Sequence, residues 1–186
     1  MIIPKIDSQR QLDKHFKWEL ERLARALKKC MIDRGFDASQ LVRDRIVSAS
    51  SLAAFLDSYQ PIDIATLTMI VQSMGFDFCL DFRDPSNKAA RVIVRLPNAK
   101  NADSVRAINS GFRTLLKGRT VSEVAYAARL SLSTVYNFTR VVPQYSFIPI
   151  AVTVPDLFSV FKCARGCGYE TYLWMADPLV SQRIAG

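Results

Sequence analysis

The sequence predicts a mainly α protein with two tandem helix-turn-helix units and a small β-hairpin or sheet between or joining them. Three observations lead to this class: apolar residues recur at helical spacing, one such pattern occurs twice, and a short alternating segment follows each copy. A chain of 186 residues can form one sizeable domain or two small ones. We assign the first unit to residues 8–96 and the second to residues 101–177.

A long amphipathic helix is predicted at the start of the chain, from Ser8 to Met31. Its apolar residues recur at intervals of three or four positions: Leu12, Phe16, Leu20, Leu23, Leu27, Cys30 and Met31. Gly35 is suited to end this helix in a left-handed conformation, and Asp37 to cap the next helix. His15 is the only histidine and has no catalytic or metal-binding partner nearby in the sequence. We expect it at the surface.

The segment TVSEVAYAARLSLSTVYNFTR, residues 120–140, has the spacing of two helices joined by a tight turn. The positions expected to face inward are Val124, Ala125, Ala128, Leu130, Val135 and Phe138. The small side chain of Ala125 permits a close helix crossing. The second helix then exposes Ser133, Thr134, Tyr136, Asn137 and Arg140. Such a face suits contact with base edges and phosphates, and an ordinary helical hairpin with a polar face is the alternative.

A weaker version of this pattern lies near the N-terminus, 83 residues earlier. Its apolar positions are Leu41, Val42, Val47, Leu52 and Phe55. The segments that begin at Ile64 and Leu157 are also similar to each other, with an offset of 93 that pairs Gly75 with Gly168. An internal duplication explains both similarities. The second copy has gained ten residues before its last helix, in or near VVPQYSFIPIAV.

The apolar positions, the alanine and the length of the turn resemble the helix-turn-helix of the phage-repressor family, the lambda-repressor and Cro-like group also called XRE. The resemblance implies that each copy continues into a closing helix and a short exit segment with a leucine, a glycine and an aromatic residue. The sequence departs from the family at Arg129, where a glycine with positive φ is usual. The family further implies a transcription regulator, most often a repressor of a phage or plasmid, that binds a palindrome as a homodimer.

We expect the second copy to bind double-stranded DNA through the major groove. Ser133, Thr134 and Asn137 would meet base edges, and the Asn137 amide can pair with adenine through two hydrogen bonds. Tyr136 would contact a thymine methyl or a phosphate, and Ser131 completes the set at the turn. The residues expected to hold phosphates are Lys117, Arg119, Thr120 and Arg140.

The first copy has a plainer surface on the corresponding helix. Its outward residues are Ala49, Ser50, Ser51, Ala53 and Ala54. Arg45 occupies the place of the inward-facing Ala128. A surface without long bidentate donors is poorly suited to base recognition. We therefore expect this copy to be a scaffold, a dimerisation unit or a weak DNA contact.

The excess of positive over negative charge is confined to one half of the chain. Residues 1–84 contain 12 Lys or Arg and 12 Asp or Glu, whereas residues 85–186 contain 13 and 5. The whole net charge of +8 therefore lies in the half with the clearer helix-turn-helix. A polyanionic partner for that half is the simplest explanation.

Strands are predicted after each copy. Residues 76–83 and 91–96 alternate apolar with smaller or charged residues, and turn-forming residues 84–87 between them predict a β-hairpin. Residues 169–175 are a candidate third strand. Residues 97–100 are predicted to link the units, and a helix is expected over about 102–116.

Several classes of function are disfavoured by the sequence. It has no paired carboxylates, phosphate loop, nucleophile motif or histidine cluster, so we predict neither an enzyme nor a cofactor. The four cysteines, Cys30, Cys79, Cys163 and Cys167, are expected as buried apolar residues and not as metal ligands, although the last two are four apart on a predicted helix. No signal peptide or membrane span is predicted, which favours a cytoplasmic protein.

One other class of function is compatible with this pattern. The chain could be an adaptor or inhibitor that uses a helix-turn-helix fold to bind a protein, because its first copy is featureless and balanced in charge. RNA binding is third, because no segment has the aromatic pairs of a stacking sheet.

Overall fold

The computed structural model describes residues 9–87, 89–96, 101–116, 118–141 and 155–178, without the side chains of residues 101 and 102. Within these ranges the protein is mainly helical, as predicted, with a small antiparallel sheet. The elements in chain order are α1 (Gln9–Arg34), α2 (Ala38–Arg43), α3 (Ala49–Ser58), α4 (Ile64–Ser73), β1 (Asp77–Arg83), β2 (Arg91–Leu96), α5 (Asn101–Leu115), α6 (Val121–Ala128), α7 (Leu132–Thr139), α8 (Leu157–Gly166) and β3 (Glu170–Ala176).

Six of the eight helices in the described ranges begin at a residue whose side chain accepts a hydrogen bond from a backbone amide of the first turn. This contact satisfies one of the amide groups that have no partner within the helix. The capping residues are Asp37, Ser48, Asp63, Thr120, Ser131 and Asp156. The start of each of these helices is therefore encoded locally, and the predicted cap at Asp37 is confirmed.

The three strands form one sheet in the order β2, β1, β3. The predicted hairpin of β1 and β2 is confirmed, with Phe78 opposite Leu96, and so is the third strand. The middle strand β1 pairs with β3 in antiparallel register, with Leu80 opposite Leu173. One face of the sheet carries buried apolar side chains of all three strands and packs into the main core: Phe78, Leu80, Phe82, Val94, Leu96 and Leu173.

The opposite face of the sheet is organised around a buried carboxylate. Asp81 has no exposed surface and accepts hydrogen bonds from Arg91 Nε at 2.7 Å and Arg83 Nε at 2.7 Å. The two arginines also lie over aromatic rings of β3, Arg83 over Tyr172 and Arg91 over Trp174. A buried carboxylate is tolerated only when it is paired and hydrogen-bonded, and here both conditions hold.

Helix α1 satisfies the outer edge of β3. The buried Glu19 carboxylate accepts the Leu173 amide hydrogen at 2.6 Å, and Arg22 donates to the Leu173 carbonyl. His15 Nε2 donates to the Thr171 carbonyl at 2.7 Å, because a carbonyl can only accept. The expectation of a surface His15 is therefore wrong: its ring is half-buried, against Tyr172 and Phe161. An unpaired strand edge is a site for unwanted pairing, and these side chains cover it.

The two copies differ at the turn between their paired helices. Helix α6 extends to Ala128 and is followed by Arg129 with φ of 52°. Helix α2 ends earlier, at Arg43, and Arg45 takes the left-handed conformation with φ of 56°. Arg45 is therefore exposed and not at a buried helical position as its alignment with Ala128 implied, because α2 ends before reaching it.

Only in the second copy does the last helix, α8, pack closely against the first helix of the helix-turn-helix pair, α6. A Cβ atom at Gly166 would lie 2.8 Å from the Val124 carbonyl oxygen and 2.9 Å from Ala128 Cβ. The first copy has exposed Ser73 at the position of Gly166. Because α2 ends at Arg43, it lacks the last turn that in α6 lies against Gly166. A small residue is therefore not needed at position 73.

A single cluster of buried apolar residues includes side chains of both copies. The predicted linker at residues 97–100 and most of the predicted insertion, residues 142–154, lie outside the described residues. The division into units at 8–96 and 101–177 stays a prediction.

Candidate nucleic-acid interface

The corner formed by α6 and α7 is fixed by hydrogen bonds at both helix starts. Thr120 Oγ1 accepts the Glu123 amide hydrogen at 3.2 Å, and the Glu123 carboxylate accepts the Thr120 amide hydrogen at 2.7 Å. These bonds from the Thr120 backbone and hydroxyl hold the pKa of Glu123 below its ordinary value. Thr120 was expected to hold a phosphate, but both of its donors are engaged by Glu123.

The turn between the helices directs their polar faces outward. The amide hydrogen of Leu130 bonds the Ala125 carbonyl at 3.0 Å, after Arg129 has reversed the chain in the left-handed conformation. The six positions expected to face inward do so, with Leu130 half-buried and five buried: Val124, Ala125, Ala128, Val135 and Phe138. The core therefore sets which side of α7 meets solvent.

Hydroxyl groups at the start of α7 form a capping cluster. Ser131 Oγ accepts the Thr134 amide hydrogen at 3.1 Å and lies 2.9 Å from Ser133 Oγ and 2.7 Å from Thr134 Oγ1. Ser131 and Ser133 are exposed, and Thr134 is half-buried. A partner approaching this end of the helix would meet hydroxyls that already hydrogen-bond to one another.

The middle of α7 presents the longest polar side chains of the helix. Tyr136 is 62% exposed, and Asn137 is also exposed. Among the described residues the Asn137 side-chain amide makes no hydrogen bond.

The predicted phosphate ligands are in different situations. Arg119 donates from Nη1 to the Gly166 carbonyl at 3.0 Å and is half-buried, so it stabilises the end of α8. Arg140 is also half-buried. Its carbonyl accepts a hydrogen bond from Asn109 Nδ2 at 3.0 Å, and its buried Nε has no hydrogen-bond partner among the described residues. Lys117 lies outside the described residues.

Three exposed residues on this corner were missing from the predicted set. Tyr126 on α6 is 88% exposed, Leu132 at the start of α7 is 58% exposed, and Arg129 is exposed at the turn. Their outward positions follow from the same helical spacing that places Ala125 and Val135 inside. The surface is therefore more apolar and aromatic than its serines and threonine suggested.

A crevice borders α7 where the next helix begins. Its volume is about 260 Å³. The lining includes Thr134, Asn137, Asp156 and Ser159. A cleft of about 740 Å³ occupies the same place in the first copy, lined by the counterparts of these residues, Ser51, Ala54, Asp63 and Thr66. The two copies therefore share a concave feature beside the second helix of the pair.

Comparison with models of protein families, with curated proteins and with solved structures finds no match to this chain. In the part of the chain that the structure describes, no three His, Cys, Asp or Glu side chains are grouped so that they could hold a metal ion. None of the helices there is both long and apolar enough for a membrane crossing.

Proposed function

We propose that the protein is a sequence-specific DNA-binding regulator of transcription, with α6 and α7 as a helix-turn-helix whose second helix enters the major groove. The supporting observation is the orientation of α7. Val135 and Phe138 pack into the core, and Ser133, Tyr136 and Asn137 consequently point to solvent together. A helix with amide and hydroxyl groups on its exposed face has the donors and acceptors that base edges require.

In this proposal Asn137 gives most of the base specificity. Its amide has no partner in the described residues and can bond to N6 and N7 of adenine. Tyr136 and Leu132 would supply apolar contact with thymine methyl groups. Arg129 and Arg140 would neutralise phosphates on either side of the groove, a contact that positions the protein without specifying sequence. The excess of cations in residues 85–186 would attract the duplex to this half.

The finer parts of the proposal extend the sequence analysis. They are a second, degenerate helix-turn-helix at α2 and α3, the role of a phage or plasmid repressor, and action in the cytoplasm. A homodimer is implied by the family resemblance alone. In the proposal Thr120 and Arg119 contribute less to phosphate binding than the sequence suggested, because they already donate hydrogen bonds to Glu123 and to the Gly166 carbonyl.

Selection of bound sequences from a random duplex pool tests the proposal. The expected result is a motif that contains adenine and is retained in gel shifts in a salt-dependent way. Asn137→Ala should weaken binding to the motif by roughly 1–3 kcal/mol and relax preference at one position. Ser50→Ala, at the position in α3 that corresponds to Ser133, should leave base preference unchanged. Absence of any enriched sequence would contradict the proposal.

A protein-binding role is the second candidate. Its support is the exposure of Tyr126, Leu132 and Tyr136 on one corner, because exposed aromatic and apolar groups are typical of interfaces. In this case the selection would enrich nothing, and Tyr136→Ala would not change retention of DNA.

A further inference from the structure

Corresponding residues of the two copies face each other in the sheet. Leu80 in β1 lies opposite Leu173 in β3, and these positions differ by 93, the offset between α4 and α8. In an antiparallel pair of strands, a rotation by 180° about an axis that passes between two facing residues superimposes one strand on the other. Each residue of β1 then falls on the residue of β3 whose number is larger by 93. The register of the sheet therefore coincides with the internal repeat, and a local two-fold axis passes between Leu80 and Leu173.

The helices that precede the two strands match in local geometry. Gly75 and Gly168 both have positive φ, 81° and 89°, and their amide hydrogens bond Gln72 and Arg165 carbonyls, each at 2.8 Å. Asp63 and Asp156 cap α4 and α8 through the same backbone position, at 2.8 Å and 2.9 Å. Each closing helix therefore enters its strand through the same local geometry.

The helix pairs also match in local detail. Ser48 caps α3 through the Ser51 amide at 3.1 Å, as Ser131 caps α7 through Thr134 at 3.1 Å. Both turns present an exposed arginine in the left-handed conformation, Arg45 before α3 and Arg129 before α7. Each pair thus carries one cation beside the start of its second helix.

We infer that one chain, and not two, is the complete DNA-binding unit, and that its target is an asymmetric duplex site. This inference rests on the proposed function. The local axis relates the strands β1 and β3 of the two copies within one molecule, as the symmetry axis of a dimeric regulator relates its subunits. It replaces the homodimer expected from the family resemblance.

The two halves of the site would be contacted differently. On α7 the exposed groups include Ser133, Tyr136 and Asn137, whereas α3 has Ser50, Ala53 and Ala54 at the corresponding positions. Base preference is therefore confined to the half under α7. In the half of the site beside α3, Arg45 binds phosphate. Arg129 does the same in the half beside α7.

Native mass spectrometry with the selected duplex tests the stoichiometry. One chain per duplex is expected, with hydroxyl-radical protection on both sides of the selected motif. Two chains on a palindromic motif, or protection of one side only, would overturn the inference and leave the proposed function intact. Failure to retain any duplex selectively would remove both.

Arginine variants test the contact of the first copy separately. Arg45→Ala and Arg129→Ala should each reduce the salt dependence by about one phosphate contact, while Arg45→Ala leaves the selected motif unchanged. Arg43→Ala is the control, because Arg43 is ion-paired with Asp37. Circular dichroism establishes that the variants are folded. A folded Arg45→Ala variant with parental affinity and salt dependence would show that the first copy does not contact DNA.

Discussion

Leu80 and Leu173 lie directly opposite each other in adjacent strands, and each is the other's counterpart in the internal repeat. Neither side chain has exposed surface. Because the pair joins strands of different copies, it connects the folding of residues before the linker to that of residues after it. The sheet therefore lies at the centre of the predicted repeat and forms one of the contacts between its halves.

Truncation of either leucine should destabilise the whole fold. Leu80→Ala and Leu173→Ala should each lower the free energy of unfolding by about 2–5 kcal/mol, because each leaves a cavity in a packed core. The double variant should depart from additivity, since the residues are neighbours. Urea denaturation followed by circular dichroism measures this. Ile93→Ala, on an exposed part of β2, should change stability far less.

Removal of the Glu19 carboxylate should release the edge of β3. Glu19→Ala leaves the Leu173 amide without an acceptor and should cost about 1–3 kcal/mol. Glu19→Gln should cost less, because its side-chain oxygen still accepts. Hydrogen exchange at the Leu173 amide gives a local readout, and it should accelerate most in the alanine variant. Equal exchange in both variants and the parent would contradict this role of α1.

A methyl group at Gly166 should separate α8 from α6. Its Cβ would lie 2.8 Å from the Val124 carbonyl oxygen, and backbone cannot move as easily as a side chain. We expect Gly166→Ala to destabilise by about 1–3 kcal/mol despite its better helix propensity. Ser73→Ala, at the corresponding position of α4, is the matched control and should be nearly neutral. A stabilised Gly166→Ala variant would contradict the close packing.

The cysteines should differ in reactivity at mildly alkaline pH. Burial raises the pKa of Cys79 to about 11, and a hydrogen bond with Cys167 together with burial raises the pKa of Cys163 as well. Only the thiolate is nucleophilic, so these thiols should stay unmodified near pH 8. Half-buried Cys30 should react first with iodoacetamide, as mapped by mass spectrometry. Denatured protein, with all four thiols accessible, is the control.

Arg140→Ala should weaken DNA binding without changing its sequence preference. The side chain lies at the end of α7, where it would contact phosphate, so affinity for selected and unrelated duplexes should fall alike. The slope of affinity against salt should decrease by about one contact. Fluorescence anisotropy at several salt concentrations measures both. A loss confined to the selected motif would instead assign Arg140 to base contact.

Much of the local structure could be predicted from the sequence. Caps such as Asp37, the helical spacing of the core residues and the turn formers between β1 and β2 act over a few residues, and their helices and strands are confirmed within a few positions. The outward direction of Asn137 followed from the inward direction of its neighbours Val135 and Phe138. The left-handed conformation of Arg129 was also anticipated, because the family that the segment resembles usually has a glycine with positive φ at that position.

The residues that act across the chain could not be predicted in this way. Whether Arg119 was free for phosphate depended on the position of Gly166, and whether Arg45 was buried depended on where α2 ended. Spacing within one segment carries no information on a partner tens of residues away.

The sequence by itself determined the helices and the strands, because capping, periodicity and turn chemistry depend on near neighbours, and it predicted the repeat. Only the tertiary structure decided that β1 pairs with β3 at Leu80 and Leu173, that α1 covers the edge of that sheet, and that Asp81 is buried between two arginines. Strand register and buried ion pairs are set by the fit of distant surfaces, and that fit exists only once the chain has folded.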